Sequence, residues 1–211
     1  MREIWFGALL ALTLSGGLPA AAQAPKADQA KAASLLEPNS RDRVLGKADA
    51  PVTIVEYASL SCPHCAHFEK EVLPGIEKNW IEPGKAKLIL RDFPLDERAM
   101  KAEMLARCVP PEKYYPLVKT LFATQEEWVL AKDGKAALER TAKLAGIPQK
   151  DVDACLANKK LEDEVAGSRL VANQQLGVQS TPTFFINGRK FEGAPTAEAF
   201  NQALSDAAGK S

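Results

Sequence analysis

The chain is expected to fold as an α/β domain in which a β-α-β unit and a β-β-α unit are separated by an all-helical insertion. Three observations predict this. Apolar, β-branched runs at residues 52–57 and 87–93 bracket a stretch with helical patterning. A second pair of such runs, at residues 183–186 and 189–191, flanks Asn187-Gly188. Between Leu95 and Leu176 the signal is helical.

Met1 to Ala22 reads as a secretory signal peptide. Arg2 lies in a short n-region offset by Glu3, an apolar run spans Ile4 to Leu14, and Ala20-Ala21-Ala22 offers a small-residue cleavage site. An uncleaved anchor is the alternative, but a spanning helix needs roughly 20 apolar residues, and Ser15-Gly16-Gly17 interrupts the run. Cleavage after Ala22 leaves close to 190 of the 211 residues, enough for one domain with an insertion. Residues 23–47 form a polar leader, expected to be poorly ordered. The domain itself is expected at 48–94 and 177–211, with the insertion at 95–176.

Val52-Thr53-Ile54-Val55-Glu56-Tyr57 is a buried strand, and Ala58-Ser59-Leu60-Ser61 a short loop. Cys62-Pro63-His64-Cys65 then opens a helix that Pro74-Gly75 should interrupt and kink. Pro83-Gly84 marks a turn, and residues 87–93 form the second strand. The crossover between these strands should be right-handed. Asp96 caps a helix reaching Cys108, and Pro110-Pro111 breaks it. Further helices run from Tyr114 to Phe122, Lys135 to Leu144, Asp151 to Leu156 and Lys160 to Gln175, with Gly146, Pro148 and Gly177 as punctuation. Asn187-Gly188 marks a type I′ hairpin, since both turn positions need positive φ. Thr196 caps the final helix. This order is a thioredoxin-type layout with a helical insertion.

Composition removes some partners. Lysine plus arginine equals aspartate plus glutamate, 27 each, so no electrostatic case exists for nucleic acid or an anionic membrane. The four cysteines, Cys62, Cys65, Cys108 and Cys155, all follow the expected cleavage site. Disulfides persist in the oxidising compartments that export reaches. Of the three connectivities, proximity favours Cys62–Cys65 and leaves Cys108–Cys155. The latter closes a loop of nearly fifty residues, worth roughly 4 kcal/mol in the loop-entropy model. It reads as structural, with a second redox pair as the alternative.

A Cys-x-x-Cys between strand and helix puts a thiol at a helix N-terminus, where free N–H groups and the dipole favour an anion. A thiol that ionises easily is a good nucleophile and leaving group, the requirement of disulfide exchange. The competing reading is half of a zinc site, which needs more ligands at suitable spacing. Cys108 and Cys155 are single and distant, and His67 reads as a solvated helix residue rather than a ligand.

On Cys62-Pro63-His64-Cys65 after a strand, Glu56 within that strand, the helical insertion and Thr181-Pro182 before the hairpin, the chain resembles the DsbA-type thiol:disulfide oxidoreductases of the bacterial periplasm. Gly46-Lys47-Ala48-Asp49-Ala50-Pro51 and Arg91-Asp92-Phe93-Pro94-Leu95-Asp96 resemble a subgroup common in alphaproteobacteria. The resemblance implies an exposed, acidic Cys62 that attacks or is attacked, a buried Cys65 that resolves the mixed disulfide, and Pro63-His64 between them. His64 would donate a hydrogen bond or charge to the Cys62 thiolate, making the pair a strong oxidant. Pro182 would be a cis-proline that presents the Thr181 backbone to an extended substrate. The best-known family members carry valine before that proline, so Thr181 is a departure. Glu56 is either a buried acid relaying the Cys65 proton or a strand-end residue reaching water.

The implied activity is introduction of disulfides into folding exported proteins, with a DsbB-like membrane quinone reductase as reoxidant. The protein is expected to be a monomer without organic cofactor or metal. Alternatives are a disulfide isomerase or reductase, a periplasmic metal-binding protein, and a glutathione-linked enzyme on the same fold.

Overall fold

The computed structural model describes residues 26–209, so the signal peptide lies outside the described residues. Among the described residues five strands form one sheet in the order β1-β3-β2-β4-β5: β1 Val44–Leu45, β2 Val52–Ala58, β3 Ala86–Asp92, β4 Thr183–Ile186 and β5 Arg189–Lys190. β2 and β3 run parallel, from Val52↔Ala86 to Ala58↔Asp92. β4 lies antiparallel on the other side of β2, with Glu56 opposite Phe184.

Both faces of the sheet are covered, which is why β2 and β3 read as nearly continuous apolar runs. The two-residue period sorts them. Ile54, Leu88, Leu90, Phe184 and Ile186 join the larger core, while Val55, Tyr57, Ile89 and Phe185 pack with Leu36, Phe93, Ala172 and Val178 behind it. Glu56 shares the face of Ile54, so its carboxyl points toward the helix that Cys62 opens. Asn187 (φ 45°) and Gly188 (φ 75°) form the expected left-handed hairpin turn.

Two expectations need correction. Pro74-Gly75 does not interrupt the helix, which continues over 63–81 through π-turns at Phe68–Val72 and Glu77–Ile81. The first π-turn places Pro74 in the opening turn of the next α segment, where a missing N–H costs nothing. The leader is not a loose tail either. It contains the helix Lys26–Leu36 and strand β1. Buried Arg91 ties it down, donating to the carbonyls of Leu35 (2.6 Å) and Glu37 (2.8 Å) and to both Asp42 oxygens (3.0 and 2.8 Å). A guanidinium with five donors requires such partners when buried, and the chain at 35–42 supplies them.

Between β3 and β4 lie the helices Glu97–Cys108, Pro111–Ala123, Gln125–Val129, Gly134–Leu144, Gln149–Leu156 and Lys159–Leu176. Asp96 accepts from the Ala99 N–H at 2.8 Å as the first cap, Pro111 opens the second helix, and Gly177 (φ 65°) ends the last. The short helix Gln125–Val129 was not expected; fully buried Trp128 anchors it, its indole donating to the Leu121 carbonyl at 2.9 Å. Thr196 caps the final helix, Ala197–Ala208. Among the described residues no helix is long and apolar enough to cross a membrane.

Candidate active site

Cys62 occupies the N-cap of the helix that follows β2, with extended backbone angles (φ −79°, ψ 121°), and Pro63 takes the first helical position. Pro63 surrenders no hydrogen bond there, and its fixed φ suits the helix start. The Cys62 N–H is committed to the Ser59 carbonyl (3.0 Å), while the Cys62 carbonyl accepts from Ala66 (3.1 Å). The N–H groups of His64 and Cys65 are left to face the Cys62 sulfur.

Cys62 and Cys65 are free thiols of opposite acidity. The Cys62 pKa falls to about 5, first because Cys65 hydrogen-bonds to its sulfur, then through Thr181 and the backbone N–H groups of Cys65 and His64, against an opposing cost of burial. Cys65 moves the other way, well above an ordinary thiol. Burial is the main cause, followed by its hydrogen bond to Cys62 and the nearby charge of Glu56. Of the two thiols, Cys62 is the one that ionises more readily, and Cys65 holds its proton more tightly.

Cys62 is less open than the sequence suggested, at 4 % exposure against 0 % for Cys65. The segment at the cis Thr181–Pro182 bond covers it, and the Cys62 thiol donates to the Thr181 carbonyl at 3.3 Å. A contact across 119 residues of sequence is invisible to local patterning. His64 and Pro63 are exposed, and the backbone N–H of His64 helps to lower the Cys62 pKa.

Beneath the thiols lies Glu56, 1 % exposed, its pKa raised well above the usual range by burial, then by Glu69 and Cys62. Its strand position therefore does not reach water. Glu69, one helical turn beyond Cys65, was not singled out from sequence. It is 8 % exposed and its pKa rises to about 7, chiefly from burial. The signal was present: Cys65, Phe68 and Val72 define a buried stripe, and Glu69 sits inside it. Glu103 lies on the Ala99-Ala102-Ala106 stripe in the same way, and burial raises its pKa strongly. Among the described residues, Glu56 Oε2, Glu69 Oε1, Glu103 Oε2 and Thr181 Oγ1 are buried without a hydrogen-bond partner. The Thr181 hydroxyl, beside the thiol, favours the thiolate form of Cys62.

The loop before Cys62 is held from the helical block. Gln125 donates to the carbonyls of Leu60 (2.7 Å) and Cys62 (3.0 Å), Glu103 accepts from the Leu60 N–H (3.3 Å), and Asp96 accepts from the Ser61 hydroxyl (2.6 Å). The other two cysteines pair with each other. Cys108 and Cys155 form a disulfide with a Cα–Cα distance of 6.1 Å, joining the helices Glu97–Cys108 and Gln149–Leu156. Among the described residues no three His, Cys, Asp or Glu side chains gather as a cation site.

Comparison with known proteins agrees with this arrangement. The thioredoxin family model matches residues 38–206. The crystal structure of Wolbachia pipientis alpha-DsbA1 superposes with a TM-score of 0.79 at 33 % identity, covering 85 % of this chain and 96 % of that one. A protein-disulfide isomerase from Novosphingobium aromaticivorans has a TM-score of 0.69 at 26 % identity, covering 79 % and 97 %. A Rickettsia felis protein, provisionally named a protein-disulfide oxidoreductase, is 30 % identical over 71 % of this chain. The chain spans 54–64 % of the length of the first three Rickettsia relatives. The Bacillus subtilis disulfide bond formation protein D is 27 % identical over 69 % of this chain and 68 % of its own length. The chain belongs to the thioredoxin-fold DsbA family of protein-disulfide oxidoreductases.

Proposed function

We propose that the protein is an exported oxidase that introduces disulfides into folding proteins through Cys62 and Cys65. The observation that carries this reading is the placement of two free thiols on one helix turn, Cys62 at the N-cap and Cys65 fully buried behind it. In the oxidised protein, a substrate thiolate attacks the Cys62 sulfur. The Cys62–Cys65 bond breaks, a mixed disulfide forms at Cys62, and Cys65 leaves and takes up a proton. A second substrate thiolate then attacks the substrate sulfur of that bond and expels Cys62 as a thiolate. Two electrons pass to the cysteine pair and the substrate gains one disulfide. A stabilised Cys62 thiolate is a good leaving group in the second step and favours the reduced enzyme, so the pair is oxidising.

The remaining roles follow from chemistry. The Thr181 carbonyl and Pro182 offer a backbone edge to an extended substrate, and Glu56 relays the Cys65 proton. Cys108–Cys155 is a structural staple. A DsbB-like membrane quinone reductase returns the cysteines to the disulfide, and the periplasm is the place of action. The protein works as a monomer.

Cys65→Ala tests the central step, because a mixed disulfide formed when the Cys62 thiolate attacks a substrate disulfide then has no Cys65 thiol to release it. The variant should accumulate mixed disulfides at Cys62 in an oxidising compartment; a failure to capture any would reject the mechanism. A second reading, disulfide isomerisation, is favoured by the name of the Novosphingobium relative. Reduced ribonuclease should be oxidised faster than scrambled ribonuclease is reactivated; the reverse order would select the isomerase.

A further inference from the structure

We propose that Gln125 is a positioning residue for Cys62, through which the helical block tunes the reactive thiol. This rests on the reading of Cys62 as the attacking and leaving sulfur. Gln125 opens the short helix Gln125–Val129 and is buried, 6 % exposed. Burying a primary amide costs free energy unless its donors are used. Both uses are at the active-site loop: Nε2 donates to the Leu60 carbonyl at 2.7 Å and to the Cys62 carbonyl at 3.0 Å.

These bonds decide which way the loop presents its dipoles. The Thr181 carbonyl already faces the Cys62 sulfur as its hydrogen-bond acceptor; a further carbonyl turned toward it would repel a thiolate, whereas the N–H groups of His64 and Cys65 attract one. Gln125 holds the Leu60 and Cys62 carbonyls on the side of the helical block. The Cys62 carbonyl also accepts from Ala66, so the Gln125 bond fixes the first turn of the helix relative to the sulfur. Glu103 and Asp96 grip the same loop at Leu60 N and Ser61 Oγ. Of the three, Gln125 is the one that bonds to Cys62 itself. The block therefore adds a group that the strand and helix around the cysteines do not supply.

The test compares the pH midpoint for alkylation of Cys62 in the full protein, its Gln125→Leu variant and a Thr141→Val control. Thr141 is buried in the same block and bonds only within its own helix, to the Ala137 carbonyl. Gln125→Leu should raise the midpoint by about one pH unit, and lower the equilibrium constant for oxidising glutathione by about tenfold. Thr141→Val should lower Tm while leaving the midpoint in place. An unmoved midpoint in Gln125→Leu, whatever its Tm, would overturn the proposal. Should the leucine variant fail to fold, Gln125→Asn keeps the amide but is one methylene too short, and must shift the midpoint the same way. An ordinary midpoint in the unaltered protein would instead remove the reading of Cys62, which separates the two failures.

Discussion

The two cysteine pairs sit at opposite ends of helices. Cys62 is the N-cap of its helix, while Cys108 is the last residue of Glu97–Cys108 and Cys155 lies in the final turn of Gln149–Leu156. At a helix start, free N–H groups and the positive end of the dipole stabilise a thiolate; at a helix end, carbonyls and the negative pole oppose it. A sulfur that leaves easily as a thiolate makes an exchangeable disulfide, and one that does not makes a persistent one. One amino acid thus serves as reagent and staple in the same chain, divided by its place on the helix.

The comparison breaks first at the sulfur. Cys62→Ser should reduce oxidation of a dithiol substrate to the uncatalysed rate, while replacing both Cys108 and Cys155 with serine should leave activity near that of the unaltered protein. Substantial oxidation by Cys62→Ser would move the chemistry to the other pair. The double-serine variant should lose about 2–4 kcal/mol, given that the bridge spans 47 residues of sequence. Calorimetry would read this as a fall in Tm of about 4–16 °C. A changed glutathione equilibrium with unchanged Tm would make the second pair a redox partner instead of a staple.

Glu69 sharpens the contrast through stability. Its folded pKa is about 7 against an ordinary value of 4.5, so the folded state binds more protons between those values. Its contribution is fully present below about pH 4.5 and is lost as pH rises to about 7. Glu69→Gln should remove that dependence and stabilise the protein at pH 8 by about 1–3 kcal/mol in urea unfolding. A pH-stability curve unchanged by the substitution would place the titration elsewhere. The smallest effect is expected at Glu56, whose charge helps raise the Cys65 pKa. Glu56→Gln should lower the Cys65 alkylation midpoint by on the order of one unit, and an unmoved midpoint would leave Glu56 without a proton role.

How much of this was legible in the sequence follows from the range of each interaction. β2, the Cys-x-x-Cys helix start, the Asp96 cap and the Asn187-Gly188 turn were legible because each depends on residues a few positions apart. The helix over 63–81 was misread at Pro74, since a π-turn changes hydrogen-bond register without any distinct sequence mark. The leader was misread because its order comes from Arg91, about fifty residues away. At the site, the cysteines were legible, whereas the cover over Cys62 and the reach of Gln125 into the loop are long-range. Glu69 and Glu103 stood in apolar helix stripes and could have been found there.

The most direct measurement is the pH dependence of Cys62 alkylation in the reduced protein, read by mass spectrometry of the modified peptide. A helix-start thiol with the partners described here should titrate with a midpoint near pH 5. A midpoint near the roughly 8.5 of an ordinary cysteine would contradict the claim that position on the helix separates the reactive pair from the staple.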